Sequence, residues 1–274
     1  MKTIAVVGLG IIGGSVCGAL TKAGYRVHGT DIDRFSVAIA LEKGYIADVA
    51  ERLDAYDTVV LAVPPAAAIK LLTTERFRDN ALVLDICGVK SCIERAVYVQ
   101  ERNYLYVGTH PMAGKETSGI GSASPLLFQN ANLILTVCDR TDEKALLDAQ
   151  SLWQDMGVGR IIVCSAEEHD RKIAVTSQLA HIVSNAYVKS PQVSCCEGFT
   201  GGSFQDMTRI AGVDERIWTD LYFFNKENVL AELNGLIDNL SVYRDALEGD
   251  DAQALSDCLK EGRKIREKIK NGND

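Results

Sequence analysis

The sequence predicts an α/β domain of the Rossmann type at the N-terminus, followed by an all-α domain. Three observations support this prediction: short apolar runs alternate with helical segments up to about residue 164, a G-x-G-x-x-G follows the first run, and no further strand pattern appears after residue 165. Continuous apolar runs are typical of parallel strands that helices cover on both faces. We therefore predict a domain of residues 1–164 and a helical domain of residues 165–274.

The first unit of the chain combines a strand, a glycine turn, a helix and a second strand. The apolar run 2–7 leads into the glycine motif, and the strand at 25–30 follows the helix. In such a unit the first glycine makes the tight turn, the second lets the backbone approach a pyrophosphate, and the third lets the helix pack close to the strand. The free N–H groups at the start of the helix bind the phosphates. The residues predicted to bind the cofactor in this loop are Gly8, Leu9, Gly10, Ile11, Ile12 and Gly13.

An acidic residue completes the unit. Asp31 ends the second strand, 18 residues after Gly13, about where a carboxylate would accept hydrogen bonds from both ribose hydroxyls. Its charge would repel a 2′-phosphate, so NAD is predicted rather than NADP. We also assign Val63, the last residue of the third predicted strand, to the cofactor site. The alternative is a glycine-rich turn in a doubly wound fold that binds no dinucleotide.

The remaining elements follow from the same patterns. Further strands are predicted at 57–63, 81–85, 104–108, 132–138 and 160–164, and helices at 35–43, 66–72, 91–102 and 141–156. Long periodic segments at 167–190, 214–247 and 250–270 predict the helices of the second domain, with a proline- and glycine-containing linker at 191–203. The helical domain has a small core of its own, so we expect it to pair with a second copy in a homodimer.

Composition excludes several classes of protein. The net charge of −8 argues against nucleic acid as the main partner. The eight cysteines form no C-x-x-C and no zinc-ligand spacing with histidine, so most are interpreted as small buried apolar residues and no metal is expected. No signal peptide and no apolar run long enough to span a bilayer is found, so we predict a cytoplasmic protein without a membrane partner.

A histidine follows the strand predicted at 104–108. His110 is succeeded by a proline and a glycine-rich loop. Ligands of open α/β sheets bind at the carboxyl ends of the strands, so His110 is expected near the nicotinamide. There it could take a proton from a hydroxyl while hydride leaves the same carbon. The alternative is a histidine that only caps the strand.

Four further residues of the helical domain are candidates for the site. His169 and His181 are twelve residues apart, so one helix face can present both. They could equally be two helix histidines with polar neighbours. Arg209 lies in apolar surroundings, where an arginine is either paired with a structural carboxylate or held for an anionic ligand. Trp218 follows nine residues later.

Together these motifs resemble the prephenate and arogenate dehydrogenase family of tyrosine biosynthesis. They are, in chain order, G-L-G-x-I-G-G-S, D-x-x-x-V-K, G-x-H-P-M-A-G-x-E-x-S-G, H-D, S-x-L-x-H, and T-R-I-A with W-x-D. The block that contains H-P-M-A-G is the most specific, and the ordered set is stronger than any single motif. The resemblance covers about residues 3 to 225.

The resemblance implies NAD-dependent oxidative decarboxylation of prephenate to 4-hydroxyphenylpyruvate. His110 would hydrogen-bond the ring hydroxyl of the substrate and take its proton. Glu116 would lie at the mouth of the pocket, and Arg209 would bind a substrate carboxylate. The resemblance also assigns to the substrate site His181, its upstream partner His169, and Trp218.

The chain departs from the family pattern at two places. Gly88 stands where the family usually has a serine that hydrogen-bonds the catalytic histidine, so a water, Ser91 or a backbone group is expected to orient His110. The family's S-H-L-P-H also has Gln178 and Ala180 here. The alternatives are an arogenate dehydrogenase, a β-hydroxyacid dehydrogenase or imine reductase, and a protein that senses NAD without turnover.

Overall fold

The computed structural model describes residues 2–114 and 117–271 of the chain. Two compact units are found, Met1–Asn225 and Lys226–Asp274. The first unit extends well past the last strand because the helices that follow the sheet pack back onto its covering helices. The boundary predicted between residues 164 and 165 remains a prediction. The predicted site residue Glu116 lies outside the described residues.

Eight strands of the described residues form one sheet, in the order β3-β2-β1-β4-β5-β6-β7-β8. They are β1 (Thr3–Val7), β2 (Arg26–Thr30), β3 (Asp48–Val49), β4 (Thr58–Leu61), β5 (Leu82–Asp85), β6 (Leu105–Pro111), β7 (Leu133–Thr136) and β8 (Ile161–Cys164). The first six strands are parallel, whereas β7 runs antiparallel to β6 and β8 runs parallel to β7. The strand order changes direction at β1, which creates the crevice where dinucleotides bind in such sheets.

Helices follow most of the strands. Those between the strands are α1 (Ile11–Lys22), α2 (Arg34–Glu42), α3 (Pro65–Thr74), α4 (Ser91–Tyr98) and α5 (Glu143–Asp155). After the sheet come α6 (Ala166–Ile173), a π-helical turn (Ala174–Gln178), α7 (Leu179–Tyr187), α8 (Gly202–Thr208), α9 (Glu215–Phe224), α10 (Lys226–Glu248) and α11 (Ala252–Asn271). Each predicted strand and helix has a counterpart, with ends that shift by a few residues, but the segment 167–190 is divided into α6 and α7 by the π turn, and the segment 214–247 into α9 and α10. The sequence analysis did not predict β3, α8 or the π turn.

The core lies on both faces of the sheet, which explains the continuous apolar runs. In β1, Ile4 and Val6 face one apolar cluster, and Ala5 and Val7 face the other. Successive side chains of a strand point to opposite faces, so a strand between two cores is apolar at every position. Among the described residues, no helix has both the length and the apolar character that crossing a membrane requires.

Strand β6 is longer than the sequence predicted. Its first half pairs with parallel β5, and its second half pairs with antiparallel β7, where His110 lies opposite Ile134. The predicted strand ended at residue 108, because a histidine and a proline interrupt the apolar pattern there. His110 therefore lies within a hydrogen-bonded strand, and its backbone is held by the pairing with β7.

Substitution of Gly13 tests the close packing of α1 on β1. A Cβ at Gly13 would overlap the carbonyl oxygen of Gly8 and lie 2.9 Å from the Cβ of Ala62. We expect Gly13→Ala to lower the free energy of unfolding by about 1–3 kcal/mol, the usual cost of overpacking, measured by urea denaturation. The control is Gly10→Ala, since nothing lies within 4 Å of a Cβ there. Equal stability of the two variants would contradict the packing described.

Candidate active site

The glycine loop between β1 and α1 is closed towards the protein and open on its outer side. Gly8 has φ +90°, a conformation that favours glycine, and its N–H donates to the carbonyl of Thr30 at 2.8 Å. A Cβ on Gly8 would overlap the carbonyl oxygen of Ala62 and lie 2.9 Å from Cγ1 of Val63. Around Gly10, by contrast, a Cβ would meet nothing within 4 Å. The open side of the loop is where a ligand can approach the backbone.

The start of α1 can bind an anion. Gly10 is the N-cap residue of α1, and no side chain caps the helix. Ile11 and Ile12 form the half-buried first turn, whereas Leu9 is fully buried beneath it. The first N–H groups of a helix lack intrahelical acceptors and attract negative charge. This N-terminus therefore fits the pyrophosphate of a dinucleotide.

Asp31 lies beside the loop. Its Oδ2 accepts the N–H of Leu9 at 2.5 Å, and its Oδ1 accepts the N–H of Asp33 at 2.8 Å. Each carboxylate oxygen can accept more than one hydrogen bond, and Asp31 is only half-buried, so both oxygens can still accept ribose hydroxyls. The predicted cofactor residues thus form one group, and the group fits a dinucleotide.

A chain of hydrogen bonds runs inwards from His110. Its Nδ1 lies 2.8 Å from Nε2 of His169, and Nδ1 of His169 lies 2.8 Å from Oδ1 of Asp170. His110 is half-buried, whereas His169 is only 1% exposed and Asp170 2%. Both ring nitrogens of His169 are therefore used by protein partners, and His110 is the member of the chain that faces outwards.

The inner end of this chain is anchored to α4 and to the sheet. Asp170 accepts the backbone N–H groups of Lys90 at 2.8 Å and Ser91 at 2.9 Å, at the start of α4. The Nζ of Lys90 donates to Oδ1 of Asp85 at 2.5 Å, and both side chains are fully buried. Tyr106 also donates its hydroxyl to Asp85, at 2.7 Å. Asp85 and Lys90 are the first and last residues of the motif D-x-x-x-V-K, and no role was predicted for them, although a charge next to an apolar strand was a usable signal.

The electrostatics keep both histidines neutral. Burial lowers the pKa of His110 well below the usual 6.5, and the neighbouring His169 and the Lys90 cation lower it further. Burial also lowers the pKa of His169, although the hydrogen bond to Asp170 opposes this. Burial works against ionisation of Asp170, but hydrogen bonds from His169 and Ser91 hold its pKa below the usual range. At neutral pH the site thus holds two neutral imidazoles and a carboxylate.

Gly88 lies beside the outer nitrogen of His110. A Cβ on Gly88 would be 3.8 Å from Nε2 and Cε1 of His110 and 3.6 Å from Cδ2 of Leu221. The sequence analysis expected a water, Ser91 or a backbone group to orient His110 in the absence of the family serine. The structure has His169 in that role, since the backbone N–H of Ser91 donates to Asp170 instead.

A second pair of predicted residues is in contact. The rings of His181 and Trp218 are in contact, with centroids 3.9 Å apart and planes tilted by 37°, and the ring of Tyr222 lies 5.6 Å from that of Trp218. Nδ1 of His181 donates to the carbonyl of Ser177 at 2.9 Å, one turn earlier. The orientation of His181 is therefore fixed, and its Nε2 is the nitrogen that can meet a ligand.

Helix α7, which carries His181, also holds the segment around Arg209. Ser184 donates its hydroxyl to the carbonyl of Met207 at 2.7 Å, and the amide of Asn185 donates to the carbonyl of Ala211 at 3.1 Å. These two bonds fix the backbone on either side of Arg209, whose side chain is exposed. His181 and Arg209 are thus positioned by the same helix.

Two buried amides tie α9 to the helix that carries the histidines. Gln178 donates to the carbonyl of Leu221 at 3.1 Å, and Asn225 donates to Oε1 of Gln178 at 2.6 Å and to the carbonyl of Asp170 at 2.8 Å. Sequence reasoning noted Gln178 only as a departure from the family pattern. In the part of the chain that the structure describes, no three His, Cys, Asp or Glu side chains are grouped as metal ligands.

Comparison with known proteins identifies the family. Residues 16–163 match the family model described as prephenate dehydrogenase, nucleotide-binding domain, and residues 165–261 match prephenate dehydrogenase, dimerization domain. The chain is 31% identical to prephenate dehydrogenase of Bacillus subtilis over 280 residues, which cover 97% of this chain and 75% of the relative.

Solved structures agree with this assignment. A prephenate dehydrogenase of Aquifex aeolicus in complex with hydroxyphenyl propionate and NAD⁺ superposes with a TM-score of 0.85 at 29% identity, covering 98% of each chain. Arogenate dehydrogenase of Synechocystis superposes with a TM-score of 0.79 at 25% identity, covering 97% of this chain and 99% of the other. The resemblance inferred from the motifs and the predicted fold class are both confirmed, and this chain belongs to the prephenate dehydrogenase family.

Proposed function

We propose that this protein catalyses the NAD-dependent oxidative decarboxylation of prephenate to 4-hydroxyphenylpyruvate in tyrosine biosynthesis. The observation that carries the proposal is the state of His110. One ring nitrogen is held by His169 at 2.8 Å, and the other, Nε2, lies beside Gly88, which has no side chain to occupy it. His110 lies near the carboxyl end of β6 in a member of this family. A neutral imidazole in this place is suited to take a proton from a substrate hydroxyl.

The cofactor is NAD, and the residues of the β1–α1 loop bind it. The uncapped N-terminus of α1, where Gly10 leaves the backbone accessible, would hold the pyrophosphate. Asp31 would accept the ribose hydroxyls, and its charge would disfavour the 2′-phosphate of NADP. Val63 packs against Gly8 and supports the loop. When bound, NAD supplies the acceptor for the hydride.

His110 acts as the general base. Its Nε2 takes the proton of the ring hydroxyl while the hydride leaves the carbon that carries this hydroxyl. The bond between the ring and its carboxylate breaks at the opposite carbon, carbon dioxide departs, and the ring becomes aromatic as a phenolate. The phenolate oxygen then takes the proton back from His110, which gives 4-hydroxyphenylpyruvate and restores the neutral base. Aromatisation supplies the driving force, so the protein contributes mainly positioning and one proton acceptor.

The remaining predicted residues surround the substrate. Arg209 binds a substrate carboxylate, and His181, held against Trp218, lies near the substrate with its Nε2 available. Glu116 is assigned to the mouth of the pocket. We place His169 behind His110 rather than in contact with the substrate, because both its nitrogens already have protein partners.

The protein works as a cytoplasmic homodimer in this proposal. The two family matches meet between residues 163 and 165, which supports a nucleotide-binding domain of residues 1–164 and a substrate-binding and dimerisation domain of residues 165–274. Apolar side chains exposed on α10 and α11 suit a contact between copies: Ile237, Leu240, Val242, Leu259, Ile265 and Ile269. The cysteines of the described residues are all free, as is usual in a reducing compartment.

An assay of cofactor reduction at 340 nm tests the proposed function. Wild-type protein should reduce NAD with prephenate and release carbon dioxide, and it should use NADP less efficiently. The alternatives are tested by replacing prephenate with arogenate or with a 3-hydroxyacid. His110→Asn should lower kcat by about 10²–10⁴-fold without changing the Kd of NAD. Turnover of arogenate alone, of the hydroxyacid alone or of none of these substrates would contradict the proposal.

The pH dependence of the reaction follows from the lowered pKa of His110. The base must be neutral to accept a proton, and its pKa lies well below 6.5. We therefore expect kcat to stay constant from about pH 8 down to pH 6.5 and to fall only in more acidic solution. NMR titration of the ring, assigned with His110→Asn, should give a protonation midpoint well below 6.5. A midpoint at or above this value would contradict the electrostatics described.

Substitution of Arg209 tests the binding of the substrate carboxylate. A hydrogen bond to a charged group contributes about 1.5–3 kcal/mol, so Arg209→Ala should raise the KM for prephenate about 10- to 100-fold with little change in kcat. Arg209→Lys should restore only part of this, since lysine lacks the planar fork. The matched control is Arg216→Ala, which removes an exposed arginine paired with Asp214. An unchanged KM with a lowered melting temperature would show that Arg209 is structural.

A further inference from the structure

We propose that His169 and Asp170 are positioning residues, which hold His110 in the single tautomer that can act as a base, and that the start of α4 locks Asp170 in place for this purpose. The inference rests on the proposed function of His110. It extends that proposal, because it explains which contacts keep one ring nitrogen of His110 unprotonated, as the reaction requires.

The tautomers follow from the chemistry of the three partners. An ionised carboxylate can only accept hydrogen bonds, so the proton between His169 and Asp170 belongs to Nδ1 of His169. A neutral imidazole carries one proton, so Nε2 of His169 is an acceptor. The proton in the bond of 2.8 Å between the two histidines must then belong to Nδ1 of His110. This leaves the lone pair of His110 on Nε2, the nitrogen that faces Gly88.

Asp170 cannot rotate out of this arrangement without losing other bonds. Its Oδ1 accepts both Nδ1 of His169 and the backbone N–H of Lys90, and its Oδ2 accepts the N–H of Ser91. The two backbone donors belong to the start of α4, where the helix dipole favours a negative charge. The carboxylate is 2% exposed, so loss of these bonds would leave a buried charge without partners.

The charges around the two rings favour a positioning role over proton transfer to Asp170. The charged groups that act on the buried ring of His169 are Asp170 beside it in α6, Lys90 at the start of α4, and Asp85 at the end of β5. Asp85 is engaged by the Lys90 ammonium at 2.5 Å. The proton taken from the substrate is thus held on His110 until it returns to the oxygen of the product, and His169 accepts one hydrogen bond throughout.

Variants of His169 separate positioning from proton transfer. The carboxamide of His169→Gln can accept from His110 and donate to Asp170, but it cannot take up a proton. We expect this variant to keep kcat within about threefold of the wild type. His169→Ala and Asp170→Ala should each lower kcat roughly 10- to 100-fold, which is less than the loss expected when His110 itself is replaced. The KM for prephenate and the Kd for NAD should not change in either variant.

A matched control separates these effects from loss of a helix cap. Asp142 caps α5 through the N–H of Ala145 at 2.8 Å, so Asp142→Ala removes a capping carboxylate that does not belong to the histidine chain. Both aspartate variants should lose about 1 kcal/mol or more of stability. Only Asp170→Ala should lose kcat.

The tautomer of His110 can also be read directly. In the wild-type protein at neutral pH, ¹⁵N chemical shifts should show a protonated Nδ1 and an unprotonated Nε2 for His110, and His169→Ala should mix the two tautomers. This measurement on the wild type keeps the proposal testable if a variant does not fold. A wild-type ring protonated on Nε2, or full kcat in His169→Ala and Asp170→Ala, would overturn the proposal.

The proposal would also be overturned if His169→Gln lost as much kcat as His169→Ala does. That result would favour proton transfer through His169. Failure of the proposed function gives a different result. In that case the wild-type protein would not turn over prephenate, while the tautomer of His110 could still be measured. The two proposals are therefore tested separately.

Discussion

The buried lysine at the start of α4 is the residue on which the active site depends. The Nζ of Lys90 neutralises Asp85 at the end of β5, and its backbone N–H holds Asp170 in α6. Lys90 thereby joins the sheet, helix α4 and helix α6. Removing one partner of a buried ion pair costs about 3–5 kcal/mol, because the other charge is left without compensation. Tyr106 and the backbone N–H of Cys87 also donate to Asp85, so both oxygens of this buried carboxylate have partners.

This arrangement produces a weak base, and a weak base suits the proposed reaction. Burial and the nearby cation disfavour a charge on His110, so little of the protein is lost to a protonated, inactive form. As hydride leaves, the carbon becomes electron-poor and its hydroxyl becomes much more acidic. A neutral imidazole of low basicity can then accept the proton at the moment of transfer. Strong basicity would add little, since aromatisation already favours the products.

Much of the fold could be predicted from the sequence, and less of the site. The glycine loop, Asp31 and His110 were found because backbone geometry and strand ends impose local patterns. The partner of His110 was not, because the bond between His110 and His169 joins residues far apart in the chain. The bond from the backbone of Lys90 to Asp170 was missed for the same reason, whereas the ion pair of Lys90 with Asp85 joins residues close in the chain and had a usable signal. The direction of β7 could not be predicted either, since an apolar run reads alike in both directions.

The π turn at Ala174–Gln178 accommodates one extra residue in the helix that joins the two pairs of site residues. A π turn holds one residue more than an α turn, and such turns occur mostly at functional sites. Deleting one residue there would restore a regular helix and leave all later residues on nearly the same faces, because the turn already absorbs the rotation of about 100° that one extra residue would add. A deletion in the regular turn before His181 would instead rotate His181 away from Trp218 and Ser184 away from Met207. The π turn is therefore the place in this helix where the loss of one residue disturbs the later contacts least.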